Sequence, residues 1–349
     1  MHAEQFEEYG QALVRNEMET PAPAGKEVLV KITHRGVCHS DVHIHDGYFG
    51  LGGDAKLDVR GNRPLPFTLG HEIVGEVEAI GPDASGVSIG DKVSVYPWIG
   101  CGECAICTRD EEQFCTAPRH LGVVVDGGFA SHVIVPDGRY CVDYAGVSPA
   151  MAAAIACSGL TAYSALRKLG TPAESDSIVI VGAGGVGMMG IQFAKAMFGK
   201  GPIVVDIDDA KLEAAKAAGA SDVVNGKDED AIAQLMAKTG GGAFGSVDFV
   251  GNEASFTTAH SCLRKGGSCY VVGLFGGGFS MPITMFPLRA ISMGGSFVGS
   301  LGEFRDCIKM AQDGKVADIP MEHRTLDQAS QSLDDLRAGS VIGRVILED

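Results

Sequence analysis

With 349 residues, 45% of them apolar and 21% charged, the chain has the make-up of an ordinary globular protein and exceeds the usual span of one hydrophobic core, so two domains are expected. A net charge of −16 without any Lys/Arg-rich block argues against nucleic acid and anionic membrane surfaces as partners. The N-terminus has no basic segment leading into an apolar core, no apolar run approaches the ~20 residues that span a bilayer, and ten cysteines without an export signal point to a reducing compartment; a cytoplasmic location is expected.

From Glu27 to about Val142 the pattern is of short β-like runs cut by Gly, Pro and Asp. Val28–Ile32, Ile73–Ile80 and Lys92–Val95 read as strands of a β-rich, barrel-like domain. Between the first two lies Gly36-Val37-Cys38-His39-Ser40-Asp41-Val42-His43, which packs a thiol, a hydroxyl, a carboxylate and two imidazoles into eight residues. Alone it is ambiguous, because such a tract also suits a loop with one core thiol and exposed histidines. The Gly47–Pro66 segment, rich in Gly and charge, reads as a surface loop able to shape access to a site.

Leu69-Gly70-His71-Glu72 places a histidine and a carboxylate at the mouth of a strand, where they suit a metal ligand and its supporting group. A lone histidine is more often a satisfied polar residue. The strongest isolated signal follows: Cys101, Cys104, Cys107 and Cys115 lie inside one short loop. Four thiolates so spaced match a tetrahedral zinc site tying down a lobe with almost no apolar core; two disulfides, disfavoured by compartment, or an iron–sulfur cluster are the alternatives.

At Ser177 the character changes. Ile178–Val181 is a continuous apolar run, followed by Gly182-Ala183-Gly184-Gly185-Val186-Gly187 and a helical pattern through Phe193, Ala194 and Met197. A G-x-G-x-x-G between strand and helix makes a tight turn, lets backbone approach a pyrophosphate, and packs helix on strand. The next strand, Ile203–Val205, ends at Asp206, about 20 residues on, where a carboxylate accepts from ribose hydroxyls and favours NAD over NADP. Asp208 or Asp209 can cap the following helix, leaving Asp206 for the ribose.

Strands and helices go on alternating: Asp222–Val224, Asp230–Lys238, Val247–Val250, Ser255–Arg264, Ser268–Gly273 and Met293–Val298. Six β-runs with intervening helices predict a doubly wound parallel sheet, an α/β Rossmann domain. Beyond Leu301, helices around Phe304–Gln312 and Leu326–Leu336 precede a strand, Gly343–Leu347, expected to return to the first domain.

Taken together, these motifs resemble the zinc-dependent medium-chain alcohol dehydrogenases, of the bacterial and archaeal type, over nearly the whole chain. The resemblance implies a GroES-like barrel catalytic domain over 1–152, an NAD-binding domain over 153–292 and a return segment over 293–349. It implies that Cys38, His71 and Cys157 hold a catalytic zinc, with Asp41 and Glu72 supporting it, and that the four-cysteine lobe holds a structural one. Without it, Cys157 reads as a buried thiol at a helix end. Ser40 and His43 match the family's proton relay. His39, Thr161, Gly182, Gly184, Gly185, Val186, Gly187, Asp206, Lys211, Gly273, Leu274 and Arg344 match cofactor contacts, while Phe49, Trp98 and His120, with Leu274, match its substrate pocket. Read without the family, His39 and His43 are exposed loop polarity and Trp98 is plain core.

The implied activity is reversible hydride transfer between a primary or secondary alcohol and NAD, giving an aldehyde or ketone, in a homotetramer or homodimer with two zincs per subunit. The alternatives are a polyol dehydrogenase, an NADPH-dependent enone or quinone reductase of the same superfamily, and a redox-sensing nucleotide-binding protein. Cys141, Cys262, Cys269 and Cys307 have no motif around them and read as core thiols.

Overall fold

Strand Val28–Val37 alternates apolar and polar residues and pairs antiparallel with Glu72–Ile80, with irregularities at Leu29/Val30 and Ile32/His34 that bend the sheet. The structure, a computed structural model, describes residues 1–61 and 63–349. It divides into two units, one comprising 1–48, 58–160 and 299–349, the other 49–57 and 161–298.

In the first unit the main sheet runs Cys141–Asp143, Lys92–Val95, Glu72–Ile80, Val28–Val37, Arg344–Glu348, Met321–Thr325, with His132–Val135 also paired to Val28–Val37. Arg344–Glu348 lies antiparallel to Val28–Val37, so the end of the chain completes this unit's sheet. A smaller sheet joins Val14–Glu17, His2–Phe6 and Phe67–Thr68. Phe6, Val37, Ile44, Phe67, Leu69 and Phe129 form the core beneath them. Gly36 faces Glu72 across the strand pair, so Cys38 and His71 emerge side by side at the strand ends.

Two helices here differ from expectation. His39–Asp46 is helical, with Cys38 as N-cap: Asp41, three residues on, accepts the Cys38 N–H, a local bond that apolar periodicity does not reveal. Pro149–Lys168 is a continuous helical run with a π-turn at Ile155–Gly159. By length and mean hydropathy it could cross a membrane, but 89% of its most apolar window is buried inside the protein, as for a core helix.

The second unit holds six parallel strands in the order Asp222–Asn225, Ile203–Asp206, Ile178–Val181, Ala243–Asp248, Leu263–Val271, Ser292–Gly295. The order reverses between Ile178–Val181 and Ala243–Asp248, the crevice position where doubly wound sheets bind ligands. The stretch from Leu263, expected to end a helix, instead starts a strand, because Ala243 pairs with Leu263 ahead of the main ladder. The segment read as a loop over Gly47–Pro66 contains a two-stranded hairpin, Tyr48–Gly52 and Ala55–Asp58, turned by Gly52 and Gly53 at positive φ; Asn62 lies outside the described residues.

Candidate functional site: two thiolate clusters and a glycine turn

Cys38 leaves the end of its strand as the helix N-cap, and Asp41 ties it down by accepting its N–H at 2.8 Å. The other Asp41 oxygen accepts from His71 Nδ1 at 3.1 Å and from the Gly70 N–H at 3.3 Å. This bond occupies Nδ1 and leaves Nε2 as the ring nitrogen available to a metal ion. Cys157 arrives from the π-turn, a widened turn of the kind found at functional sites, and its Sγ lies 4.0 Å from Cys38 Sγ.

His71 Nε2 is buried and has no hydrogen-bond partner. The ligand atoms of Cys38, His71, Glu72 and Cys157 all lie within 4.8 Å of one another. An orphaned buried nitrogen facing two thiols is costly in a metal-free core and well suited to a divalent cation. Cys₂His with one position left over is the donor set of a catalytic zinc. The sulfur–sulfur contact pulls the Cys38 thiol down and pushes Cys157 up; burial opposes the first and reinforces the second. Burial draws His71 down, but Asp41 and Cys38 outweigh it and hold the imidazole well above its ordinary value.

Arg344, expected at a cofactor phosphate, is buried and forked onto Glu72, with Nε donating at 2.9 Å and Nη2 donating to the other oxygen. Glu72 also accepts the Ser158 N–H at 3.3 Å, next to Cys157. Room for this carboxylate depends on Gly36, where a Cβ would stand 1.8 Å from a Glu72 oxygen. Burial raises the Glu72 carboxyl and Arg344 opposes the rise. No local motif announces this pair, since its partners stand 272 residues apart in the chain.

His39, Ser40 and His43 occupy the half-buried side of helix His39–Asp46, with the two imidazoles 5.1 Å apart at helical spacing. Burial lowers His43, helped by His39, and burial likewise lowers His39. Trp98 stands with its ring 5.2 Å from that of His71, its Nε1 donating to the Ala156 carbonyl at 3.2 Å. His120 meets the indole edge-on at 5.4 Å, and burial, then the charge of His71, lowers it to about 4.

In the cysteine lobe, Sγ separations are 3.9 Å for Cys101–Cys107, 3.5 Å for Cys104–Cys107 and 3.9 Å for Cys104–Cys115. A tetrahedron of sulfurs each about 2.3 Å from zinc has edges of about 3.8 Å, so the four residues fit that ion. All four thiols are free of disulfides. The buried carboxylate of Glu112 anchors the lobe, accepting from the Gly100 N–H at 3.0 Å, Tyr140 Oη at 2.6 Å and Arg139 Nη2 at 2.7 Å.

In the second unit, helix Gly185–Phe198 has Gly184 as its N-cap and no side-chain cap, so its first N–H groups face outward. A Cβ on Gly187 would lie 1.9 Å from the Gly182 carbonyl oxygen, a packing demand; a Cβ on Gly184 would meet nothing of the protein within 4 Å. The space over Gly184 is therefore open, and an uncapped helix terminus of this kind suits phosphates. Asp206 Oδ2 accepts the Ala183 N–H at 2.7 Å, and Oδ1 accepts from Ile207 and Asp208. Asp208 caps the next helix, where Lys211 sits in the first turn. Gly273 lies hard against Val250, where a Cβ would be 2.0 Å from the carbonyl carbon. Thr161 Oγ1 is buried with no partner, and Val186 is half-buried. Phe49 and Leu274 belong to this unit as well.

Residues 24–145 match a family profile described as an alcohol dehydrogenase GroES-like domain, and residues 185–313 one described as a zinc-binding dehydrogenase. A NAD-dependent alcohol dehydrogenase of Sulfurisphaera tokodaii is 38% identical over 349 residues, 99% of either chain. An alcohol dehydrogenase of Geobacillus stearothermophilus is 35% identical over 355 aligned positions, covering 100% of this chain and 99% of that one. The crystal structure of an alcohol dehydrogenase from the archaeon Aeropyrum pernix matches with a TM-score of 0.89 at 30% identity, covering 100% of both chains.

Proposed function

Because this chain belongs to the zinc-dependent medium-chain alcohol dehydrogenases, we propose that it transfers hydride reversibly between a primary or secondary alcohol and NAD, giving an aldehyde or ketone. The observation that carries the reading is the buried, unpartnered Nε2 of His71 facing two thiols, one of them on the residue that caps a helix bearing Ser40 and His43. Cys38, His71 and Cys157 would hold one zinc, and Cys101, Cys104, Cys107 and Cys115 another. When bound, the first zinc supplies Lewis acidity that makes an alcohol hydroxyl acidic near neutral pH, and NAD supplies the hydride acceptor.

The chain's own residues do the rest. Asp41 holds Cys38 and His71 in place, so the ligand set need not reorganise as charge develops. Ser40 Oγ takes the proton released by the alcohol, and His43, three residues on and held neutral by burial, carries it toward solvent. Trp98 walls the ligand cluster and excludes water from it. In the other unit the uncapped helix end at Gly184 receives the dinucleotide's phosphates, Asp206 its adenosine ribose, and Thr161 Oγ1 the nicotinamide end. A homotetrameric or homodimeric state is supported by exposed Phe279, Ile283, Phe286 and Leu288 ahead of the sheet's edge strand Ser292–Gly295.

The test is metal content per subunit together with turnover of an alcohol panel under NAD and NADP. Two zincs and NAD-linked oxidation are expected. A metal-free protein that reduces enones with NADPH would overturn the reading, as would full activity in Cys38→Ser.

A further inference from the structure

Arginine is seldom fully buried, yet Arg35, three residues before Cys38 on strand Val28–Val37, is 0% exposed. The side chain of its ion-pair partner Asp349 is 38% exposed, so Coulomb attraction offsets only part of the cost of taking a guanidinium out of water. Inside the protein Arg35 forks onto backbone. Its Nε donates to the Gly128 carbonyl at 3.1 Å and its Nη2 to the Ala130 carbonyl at 2.7 Å. A planar guanidinium bound at two points fixes the turn between those carbonyls, which a point charge or an apolar side chain would not.

The turn held in this way grips the segment before His71. Phe129 N–H donates to the Leu69 carbonyl at 2.8 Å, and Gly128 N–H to the Gly70 carbonyl at 2.7 Å. Gly70 has φ +92°, and a Cβ there would stand 2.4 Å from the Phe129 ring, so the two segments meet backbone to backbone. The N–H of the same Gly70 goes to Asp41. Arg35 and Asp41 stand three residues to either side of Cys38, and the hydrogen bonds Arg35–Gly128–Gly70–Asp41 close a ring through the residue that precedes His71. Asp41 orients the imidazole through Nδ1, while Arg35 orients the backbone from which it hangs.

We propose that Arg35 is a positioning residue for the metal centre: by holding the Gly128–Ala130 turn against Gly70 it sets where His71 presents Nε2 to Cys38 and Cys157. This rests on the zinc-dependent dehydrogenase reading, which makes that imidazole a ligand.

Zinc release to a chelator separates the two centres, because Cys38→Ser removes one phase and leaves that of the four-cysteine lobe. Arg35→Met is close to arginine in shape but has none of its donors. It is expected to speed release from the Cys38 centre about tenfold, the low end for loss of a group that orients a ligand, and to leave the lobe unchanged. With cobalt in place of zinc, the visible bands that Cys38→Ser abolishes should shift in Arg35→Met while the rest stay put. Asp349→Asn weakens the ion pair and keeps both carbonyl bonds, so it should release zinc like wild type. Arg35→Lys keeps the charge without the fork; it should fall between, and it decides should the Met variant fail to fold. Release that quickens equally from both centres, or from neither, overturns the proposal, as does an Asp349→Asn protein that behaves like Arg35→Met. If wild type holds no metal at Cys38, the dehydrogenase reading fails, and amide exchange at Gly70 and Gly128 decides separately. Protection lost at these two amides in the Arg35 variants supports the role of Arg35; unchanged protection overturns it.

Discussion

His71 and Asp41 form a fully buried pair, with Nδ1 donating to Oδ1 across 3.1 Å, and the same carboxylate accepts the N–H of Cys38. One side chain thus orients two of the proposed metal ligands, which arrive from different strands. Asp41→Asn keeps the shape but presents an amide that cannot accept equally from both. Loss of such a supporting group typically costs ten- to a hundredfold in metal affinity. Chelator competition should show zinc leaving the Cys38–His71–Cys157 site that much more readily in the variant, with the four-cysteine lobe unaffected. Equal loss from both sites would mean that Asp41 acts only on global stability.

Arg344 and Glu72 are both buried, so breaking the pair strands a charge. Arg344→Leu should destabilise the protein by about 3–5 kcal/mol, whereas the double variant with Glu72→Gln should recover much of the loss. Urea unfolding at pH 7 measures both. If Arg344→Leu instead unfolds like wild type and only weakens NAD binding, Arg344 is a phosphate ligand after all.

These two pairs mark the limit of what the linear pattern carries. The glycine turn and the four-cysteine lobe are legible because every participant lies within one short segment whose spacing encodes its chemistry. The alternation of Ile178–Val181, Ile203–Asp206 and their successors likewise betrays a buried parallel sheet. By contrast, Cys157 acquires its role from a π-turn in an apolar helix that is plain core by composition. Arg344 meets Glu72 only because the last strand returns to Val28–Val37. Helix His39–Asp46 escapes periodicity because its buried face includes Asp41 and His45, polar residues held by partners that only the fold supplies.

Acid should expose the buried histidines. Folding lowers His120 from an ordinary 6.5 to about 4, through burial first and the His71 charge second. Above pH 6.5 neither state is protonated there and His120 contributes nothing to pH dependence. Between pH 6.5 and about 4 the unfolded chain takes up a proton that the folded one refuses, so stability falls as pH falls, by roughly 3 kcal/mol over the whole window. Denaturant midpoints of His120→Gln should decline less steeply across that range than those of wild type. Parallel slopes would place the proton uptake elsewhere.

Two duties are proposed for Asp206, and substitution should separate them. Its carboxylate accepts three backbone N–H groups, from Ala183 in the glycine turn and from Ile207 and Asp208 after the strand. In the proposed NAD site a carboxylate here would also receive the ribose hydroxyls of NAD and repel the extra phosphate of NADP. Asp206→Ser removes the charge and leaves one short acceptor. The NADP-to-NAD ratio of kcat/KM should rise at least tenfold, which is no more than the removal of one close like-charge contact requires. Turnover with NAD should fall at the same time, because the turn around Ala183 loosens. Steady-state kinetics with both cofactors, alongside thermal unfolding, test this. A lower melting temperature and weaker NAD use at an unchanged ratio would leave Asp206 as a brace for the glycine turn alone.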